Sequence, residues 1–325
     1  MSERLINKDS TVYVAGPKTL IGSALLRELK REGYSRVVDP EREPDLTDAG
    51  QVDRFFNQVK PEYVFLAAGR SGGIQANQKY PAGLIRNKLL TACHVVESAY
   101  RHGAAKLLSL ASSCSYPKHA VQPMKVESLF TGLLEPTSEA YGVAKLAGIT
   151  LCKAYRQQYG ANFISAIPGD LFGPGDDFDP ENSHVMAALI RKIHEAKQRR
   201  EAFVELWGTG SPRRGFIFID DLAGACIFLM HRYEGREPIN IGGQWDLSVR
   251  ETALLVKEVV GYEGQLRFDA SKPDGAPVKS LDSGALREMG WRPRSPSLEE
   301  AVSLTYRWFL ENAKEGITDA CSTRI

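Results

Sequence analysis

No apolar run in the sequence approaches the ~18 residues that a membrane-spanning helix needs, so no membrane association is expected. The first sixteen residues contain no apolar h-region, which argues against a secretory signal. Cysteine is sparse: Cys93, Cys114, Cys152, Cys226 and Cys321 are odd in number and form no CxxC pair. That argues against a disulfide framework or a thiolate zinc site; no metal is expected, and reduced thiols in a cytoplasm are. An excess of one charge sign is also missing. Lys and Arg total 41 against 40 Asp and Glu, a net charge of +1. No global field therefore attracts nucleic acid or a membrane surface, although a local basic pocket for a phosphorylated ligand remains compatible. Internal repeats and low-complexity stretches are absent.

What is present is the material of a large soluble core, with 43% hydrophobic and 25% charged residues. Short apolar runs alternate with longer amphipathic segments, the mark of a parallel sheet flanked by helices. Strands are predicted at 11–15, 36–39, 62–67, 106–110 and 163–167, and helices at 20–32, 48–59, 81–101 and 138–159. After Pro168 come Gly-, Pro- and Asp-rich loops, a helix at 185–198 and a strand near 203–207. A strand at 215–219, a helix at 220–231 and a strand at 239–242 are expected to rejoin the first lobe. Residues 248–312 carry helices and one apolar strand, before a polar tail expected to fray.

The expected class is α/β: a Rossmann-like doubly wound parallel sheet with a smaller α/β substrate-binding lobe. The boundaries that follow are a dinucleotide-binding domain over 1–168, rejoined by about 215–243. A substrate-binding lobe takes 169–214 and 244–325.

The first strand runs into Gly16-Pro17-Lys18-Thr19-Leu20-Ile21-Gly22 and then a helix. Glycines there let the backbone approach a pyrophosphate resting on the helix N-terminus. Thr19 stands where the usual pattern has a third glycine. A strand–glycine–helix turn without a ligand is the plainer alternative; its place at the first βα junction favours a binding loop. Asp39 ends the second strand, about 20 residues on, where a carboxylate accepts from a ribose 2′-hydroxyl and repels a 2′-phosphate. That favours NAD(H). Lys18 and Arg42 are nearby cations able to receive a phosphate instead, and Asp39 also reads as a turn residue before Pro40. Asp45, Leu46, Ala67, Ala68 and Gly69 fall where the second and third units meet the adenine and pyrophosphate.

The fourth strand leads into Ser112-Ser113-Cys114-Ser115-Tyr116-Pro117, and Tyr141-Gly142-Val143-Ala144-Lys145 lies in the next long helix. Tyr and Lys four apart share a helical face. An ammonium beside a phenol is expected to pull the tyrosine from ~10 toward neutrality, making Tyr141 a general acid/base for a carbonyl oxygen. Ser112 can hydrogen-bond the same oxygen. Tyr141 and Lys145 are also counted with the cofactor surface. A core Tyr with a surface Lys is the plainer reading of the spacing alone; the Ser-bearing strand end reverses it.

These residues resemble the extended short-chain dehydrogenase/reductase family, of the NAD-dependent epimerase/dehydratase type. The likeness extends to its GDP-L-fucose synthase branch. It is carried by Gly72-Gly73-Ile74, Ser112-Ser113-Cys114 with Tyr116-Pro117, Tyr141 to Lys145, and Gly173-Pro174 with Asp177-Phe178. Asn182-Ser183-His184-Val185, Trp207-Gly208-Thr209-Gly210 with Pro212 and Arg214, and Phe268 through Gly275 continue it. The resemblance implies epimerisation at C3 and C5 of GDP-4-keto-6-deoxy-D-mannose, then hydride delivery to C4. It implies Cys114 as base and His184 as acid. Ordinary cysteine and histidine titrate at ~8.5 and ~6.5, which suits such a pair. A small buried hydrophobe and a helix cap are the plainer alternatives for the two.

The resemblance further implies that Arg214 and Lys279 hold the GDP phosphates or the sugar, that Trp207 packs beside the nucleotide and His184 touches the sugar. It implies NADP(H) as cofactor, against the NAD(H) that Asp39 favours, and a homodimer through helices 81–101 and 138–159. Asp39 stands where the family tends to carry an Arg. Gly169-Asp170 replaces the family's Thr-Asn, which puts Asp170 at the sugar. The alternatives are an NAD-retaining epimerase or dehydrogenase of another nucleotide-sugar, and a non-catalytic nucleotide-sugar-binding protein.

Overall fold

The computed structural model describes residues 7–69, 74–180, 183–272, 274–295 and 297–313. Gly72, Gly73, Asn182, Pro273 and Cys321 lie outside the described residues.

Strand β1 (Val12–Ala15) is buried at every residue, as a central parallel strand requires. Helix α1 (Leu20–Arg31) starts on Thr19, whose side chain accepts from the Gly22 N–H at 3.0 Å. Asp48 caps α2 (Ala49–Val59) in the same way, through the Gln51 N–H. Then follow β2 (Tyr63–Leu66), the short α3 (Ile74–Lys79), α4 (Pro81–Arg101), β3 (Lys106–Leu110), α5 (Glu139–Tyr159) and β4 (Phe163–Pro168). Pro81 opens α4 where a backbone N–H has no helical partner. The next elements are β5 (Asp170–Phe172), α6 (Val185–Gln198), β6 (Phe203–Trp207), β7 (Arg213–Phe218), α7 (Ile219–Arg232) and β8 (Ile239–Ile241). The chain continues through β9 (Trp245–Ser248), α8 (Val249–Val260), β10 (Gln265–Asp269), β11 (Val278–Lys279), α9 (Gly284–Glu288) and α10 (Leu298–Ala313).

Among the described residues the large sheet is parallel, in the order β1-β2-β3-β4-β8. Its strands alternate faces. Leu108 and Ile164 pack under α1 and α7, while Leu107 and Phe163 pack under α2, α4 and α5. A separate core gathers Phe172, Phe178 and Phe216 with apolar residues of α6, α8 and α10.

Three expectations change. The strand at 36–39 shrinks to one bridge, Val37 beside Val12, held by two backbone bonds. Pro40 turns the chain at once into a short 3-10 turn. Strand β7 does not join the large sheet. It lies parallel to β5 and β11 and antiparallel to β9. The Phe172 ring meets Phe216 and Trp245 and holds β7 there; only α7 and β8 return to the large sheet. The stretch 248–312 contributes two strands, β10 against β6 and β11 against β7, where one was expected. Periodicity marks a strand as half-buried but not the sheet it pairs with.

Candidate active site

The carboxyl ends of β1, β2 and β3 converge on one edge, the usual position for ligands in such sheets. At the first end Gly16 has φ +84°, and a Cβ on it would lie 2.6 Å from Ala68 Cα. A Cβ on Gly22 would lie 1.9 Å from the Gly16 carbonyl oxygen. Thr19 fills the missing-glycine position productively: its Oγ1 donates to the Gly16 carbonyl at 2.8 Å while capping α1. Ala67 bonds back to Ala15, and Gly69 follows at φ +107°. This bare backbone at a helix N-terminus is a cradle that side chains would fill, and it fits a dinucleotide diphosphate.

The residues beyond the cradle divide. Asp39 is a cap, accepting from the Glu41 N–H at 3.0 Å, so its carboxylate is engaged in the turn. Lys18 pairs with Glu41 at 3.1 Å on the surface. Asp45 folds back on Thr47, at 2.9 Å to its N–H and 2.7 Å to its hydroxyl. Leu46 is buried and its carbonyl lies 3.1 Å from His94 Nδ1. Sequence reasoning missed Glu43. Its Oε1 accepts from the Gly16 N–H at 2.6 Å and from the Tyr13 hydroxyl at 3.2 Å. Burial raises its pKa, against those two bonds. A glutamate among charged loop residues gives no signal that it folds back on the glycine turn.

At the third strand end, the Ser112 hydroxyl accepts from the Cys114 N–H at 3.2 Å and hydrogen-bonds Tyr141. Gly142 lets α5 approach: a Cβ there would be 2.5 Å from the Cys114 carbonyl oxygen. Lys145 donates to the Leu110 carbonyl at 2.7 Å and stands 5.9 Å from the Tyr141 ring centre. The expected lowering of the Tyr141 pKa is not seen. Burial pushes it up to about 12, with Cys114 adding to the rise and Ser112 and Lys279 opposing it. Burial pulls Lys145 itself down to about 8, with Cys114 opposing the shift. Cys114 is only half-buried, which removes the reading of it as a core hydrophobe.

Residues of the second sheet close on Cys114. Lys279 Nζ lies 3.7 Å from Cys114 Sγ and 3.1 Å from Asp170 Oδ1. Arg214 Nε lies 3.7 Å from Asp170 Oδ2. Desolvation disfavours the Lys279 cation, yet Asp170 and Cys114 outweigh it and hold the pKa above the ordinary lysine value. His184 is the N-cap residue of α6, where its carbonyl accepts from the Ala188 N–H at 2.8 Å, but its side chain makes no cap hydrogen bond. The residue as a whole is exposed, yet desolvation by the surrounding protein disfavours the imidazolium and lowers the pKa. Asp170 and Asp177 oppose that shift, while Lys279 adds to it. Trp207 stands apart, 63% exposed at the end of β6, with Lys272 Nζ 5.7 Å from its ring centre. One more residue escaped the sequence: Lys88 of α4, whose Nζ lies 4.5 Å from the Tyr141 ring centre. A lysine within an amphipathic helix ordinarily reads as solvated.

A parallel sheet with a glycine cradle on its first turn, and Ser, Tyr and Lys at its third strand end, defines a dinucleotide-dependent oxidoreductase of the epimerase type. Residues 12–242 match the model of the NAD dependent epimerase/dehydratase family, and the chain belongs to that family. It is 50% identical over 307 residues to GDP-L-fucose synthase 1 of Arabidopsis thaliana, covering 94% of this chain and 95% of that one. It is 47% identical over 304 residues to GDP-L-fucose synthase of Sinorhizobium fredii, covering 94% and 96%. The crystal structure of a GDP-L-fucose synthetase from Naegleria fowleri bound to NADP superposes with a TM-score of 0.88. It is 27% identical to this chain, with 95% of each chain covered. Among the described residues no helix is long and apolar enough to cross a membrane.

Proposed function

We propose that this protein converts GDP-4-keto-6-deoxy-D-mannose to GDP-L-fucose, or performs the same two steps on a close relative. The observation that carries the reading is Cys114 on the strand turn that holds Ser112, facing Lys279, with Tyr141 bonded to Ser112. A reductase needs only the Ser, Tyr and Lys; a half-exposed thiol beside a cation adds the means to move protons on carbon. The relatives named for this activity at 47–50% identity support it.

Ser112 and Tyr141 hold the C4 keto oxygen, which acidifies the protons on C3 and C5. Cys114 removes such a proton from one face, and the opposite face is reprotonated by His184. His184 is neutral at pH 7 in the free protein, since its pKa is lowered. The anionic diphosphate of the substrate and Asp170 favour the imidazolium that donates. Tyr141, with its pKa raised to about 12, keeps its proton until the C4 oxygen becomes an alkoxide, and then gives it up. Lys145 faces the phenolate so formed. A reduced nicotinamide supplies the hydride for C4 when bound. Arg214 and Lys279 sit on the substrate side, where their cations meet a diphosphate.

The cradle of Gly16, Gly22 and Gly69 would hold the cofactor diphosphate, with Ala67, Ala68, Asp45 and Leu46 beside it. NADP(H) is the better fit. Asp39 is engaged in its cap, while Arg42 is exposed and, among the described residues, has no carboxylate partner. We assign residues 1–168 with 219–243 to cofactor binding and 169–218, whose strand β7 lies in the second sheet, with 244–325 to the sugar. A homodimer through α4 and α5 is supported by Tyr100 and Tyr159, stacked and exposed on those helices. The four described thiols are free, in keeping with a cytoplasmic setting.

The test is incubation with GDP-4-keto-6-deoxy-D-mannose and NADPH or NADH, following cofactor oxidation and the sugar product. Consumption of NADPH with formation of GDP-L-fucose is expected, with Arg42→Ala losing the preference for NADPH over NADH. No consumption of either cofactor overturns the reading.

A further inference from the structure

Helix α4 sends Lys88 inward, between the proposed proton donor and the proposed cofactor edge. The residue is 5% exposed. Its Nζ lies 4.5 Å from the Tyr141 ring centre. Gly69 leaves the room for it: a Cβ there would sit 3.3 Å from both Nζ and Cγ of Lys88.

The titratable groups around it are Lys145 and Tyr141 from α5 and Cys114 from the turn after β3. Helix α2 meets α4 at its far end, where Asp53 pairs with Arg101 and His102. Helix α3 ends in Lys79, whose Nζ stands over Tyr80. Strand β2 presents apolar Leu66 to this layer. Among the described residues no carboxylate pairs with Lys88. A buried ammonium without a counter-charge carries a desolvation penalty, which loss of the proton relieves. Burial first, and then the Lys145 charge, hold Lys88 well below the ordinary lysine value, against a smaller opposing effect of Cys114.

We propose that Lys88 is a cofactor-linked amine, which takes up a proton when an anionic dinucleotide lies along Gly16 and Gly69 and supplies the missing counter-charge. The inference rests on the dinucleotide reading above. The step is one N–H bond formed on a neutral amine with a proton from solvent; no electrons are transferred. The resulting ammonium over the Tyr141 ring attracts its π face and stabilises the phenolate that forms as Tyr141 gives up its proton. Binding of the cofactor thus completes the electrostatics of the acid.

The sign follows from linkage. A lysine whose pKa is low in the free protein and higher in the complex tightens binding as pH falls through the bound-state value. The gain levels off below the free-state value. Between the two, affinity changes by up to about tenfold per pH unit.

Titration calorimetry of the full chain with NADP+, from about pH 6 to about pH 9 in buffers of different ionisation enthalpy, measures the protons taken up. Wild type is expected to take up a proton that Lys88→Met largely removes, with Kd flattening against pH. Lys88→Arg, charged throughout, should also lack this uptake yet bind at least as tightly as wild type at high pH. Lys145 and the 2′-phosphate titrate in all three proteins, and the two variants alter the charge beside Lys145 in opposite senses, so uptake lost in both belongs to Lys88. Equal uptake in wild type and in either folded variant overturns the proposal, and Lys88→Arg decides if Lys88→Met does not fold. A wild type that binds neither NADP+ nor NAD+ at any pH overturns the dinucleotide reading instead.

Discussion

The Lys279 ammonium stands 3.7 Å from the Cys114 sulfur, although the two residues are 165 positions apart in the chain. A thiolate formed at Cys114 faces a cation that Asp170 holds in place. Lys279→Met should slow solvent-deuterium incorporation at the epimerised carbons by about 10- to 100-fold. Reduction of an already epimerised ketone should slow much less once substrate is saturating. Equal slowing of both steps would count against a role beside the base.

Asp170 neutralises part of the positive charge that Arg214 and Lys279 present. Asp170→Asn should therefore tighten binding of GDP itself, by several-fold at low salt and less at high salt. A looser complex at every salt concentration would show that Asp170 touches the ligand directly.

Lys145 titrates at about 8 because burial disfavours its charge. With the cation as the proposed working form, kcat/KM for the reductive step should fall as pH rises through about 8. Tyr141→Phe should lower kcat by roughly 10²- to 10⁴-fold with little change in nucleotide affinity. Undiminished turnover in that variant would remove Tyr141 from the mechanism.

Asp176 is buried, with Oδ1 accepting from the Asp177 N–H at 2.8 Å and no partner on Oδ2 among the described residues. Burial raises its pKa to about 7. An acid whose folded pKa is raised binds more protons when folded, so its effect on stability worsens as pH rises from the ordinary carboxyl range through about 7. Asp176→Asn should be more stable than wild type at pH ~8 by roughly 2–4 kcal/mol, and nearly equal to it at pH ~4. Melting curves at both pH values check this; a pH-independent difference would refute it.

Much of the frame was legible because it is local. The alternating apolar runs mark strands and helices through neighbours a few residues away, while Thr19 and Asp48, read as a glycine replacement and a first helical residue, turn out to be caps. Helix α4 and strand β3 accordingly begin and end where the sequence predicts. The Ser112, Tyr141 and Lys145 set was legible too, since one strand end and one helix turn contain it.

What was not legible depends on distance or on the low dielectric of the interior. Strand β7 changes sheet because Phe172 and Trp245 receive Phe216, a choice made by packing across the chain. Asp39 reads first as a ribose acceptor and second as a turn residue, until its carboxylate meets the Glu41 N–H. Glu43 and Lys88 are ordinary charges in the sequence and become site residues only when folding aims them inward. The Tyr141 pKa reverses direction for the same reason. Sequence spacing supplies the neighbouring lysine, whereas burial, a property of the whole fold, raises the value against Ser112 and Lys279.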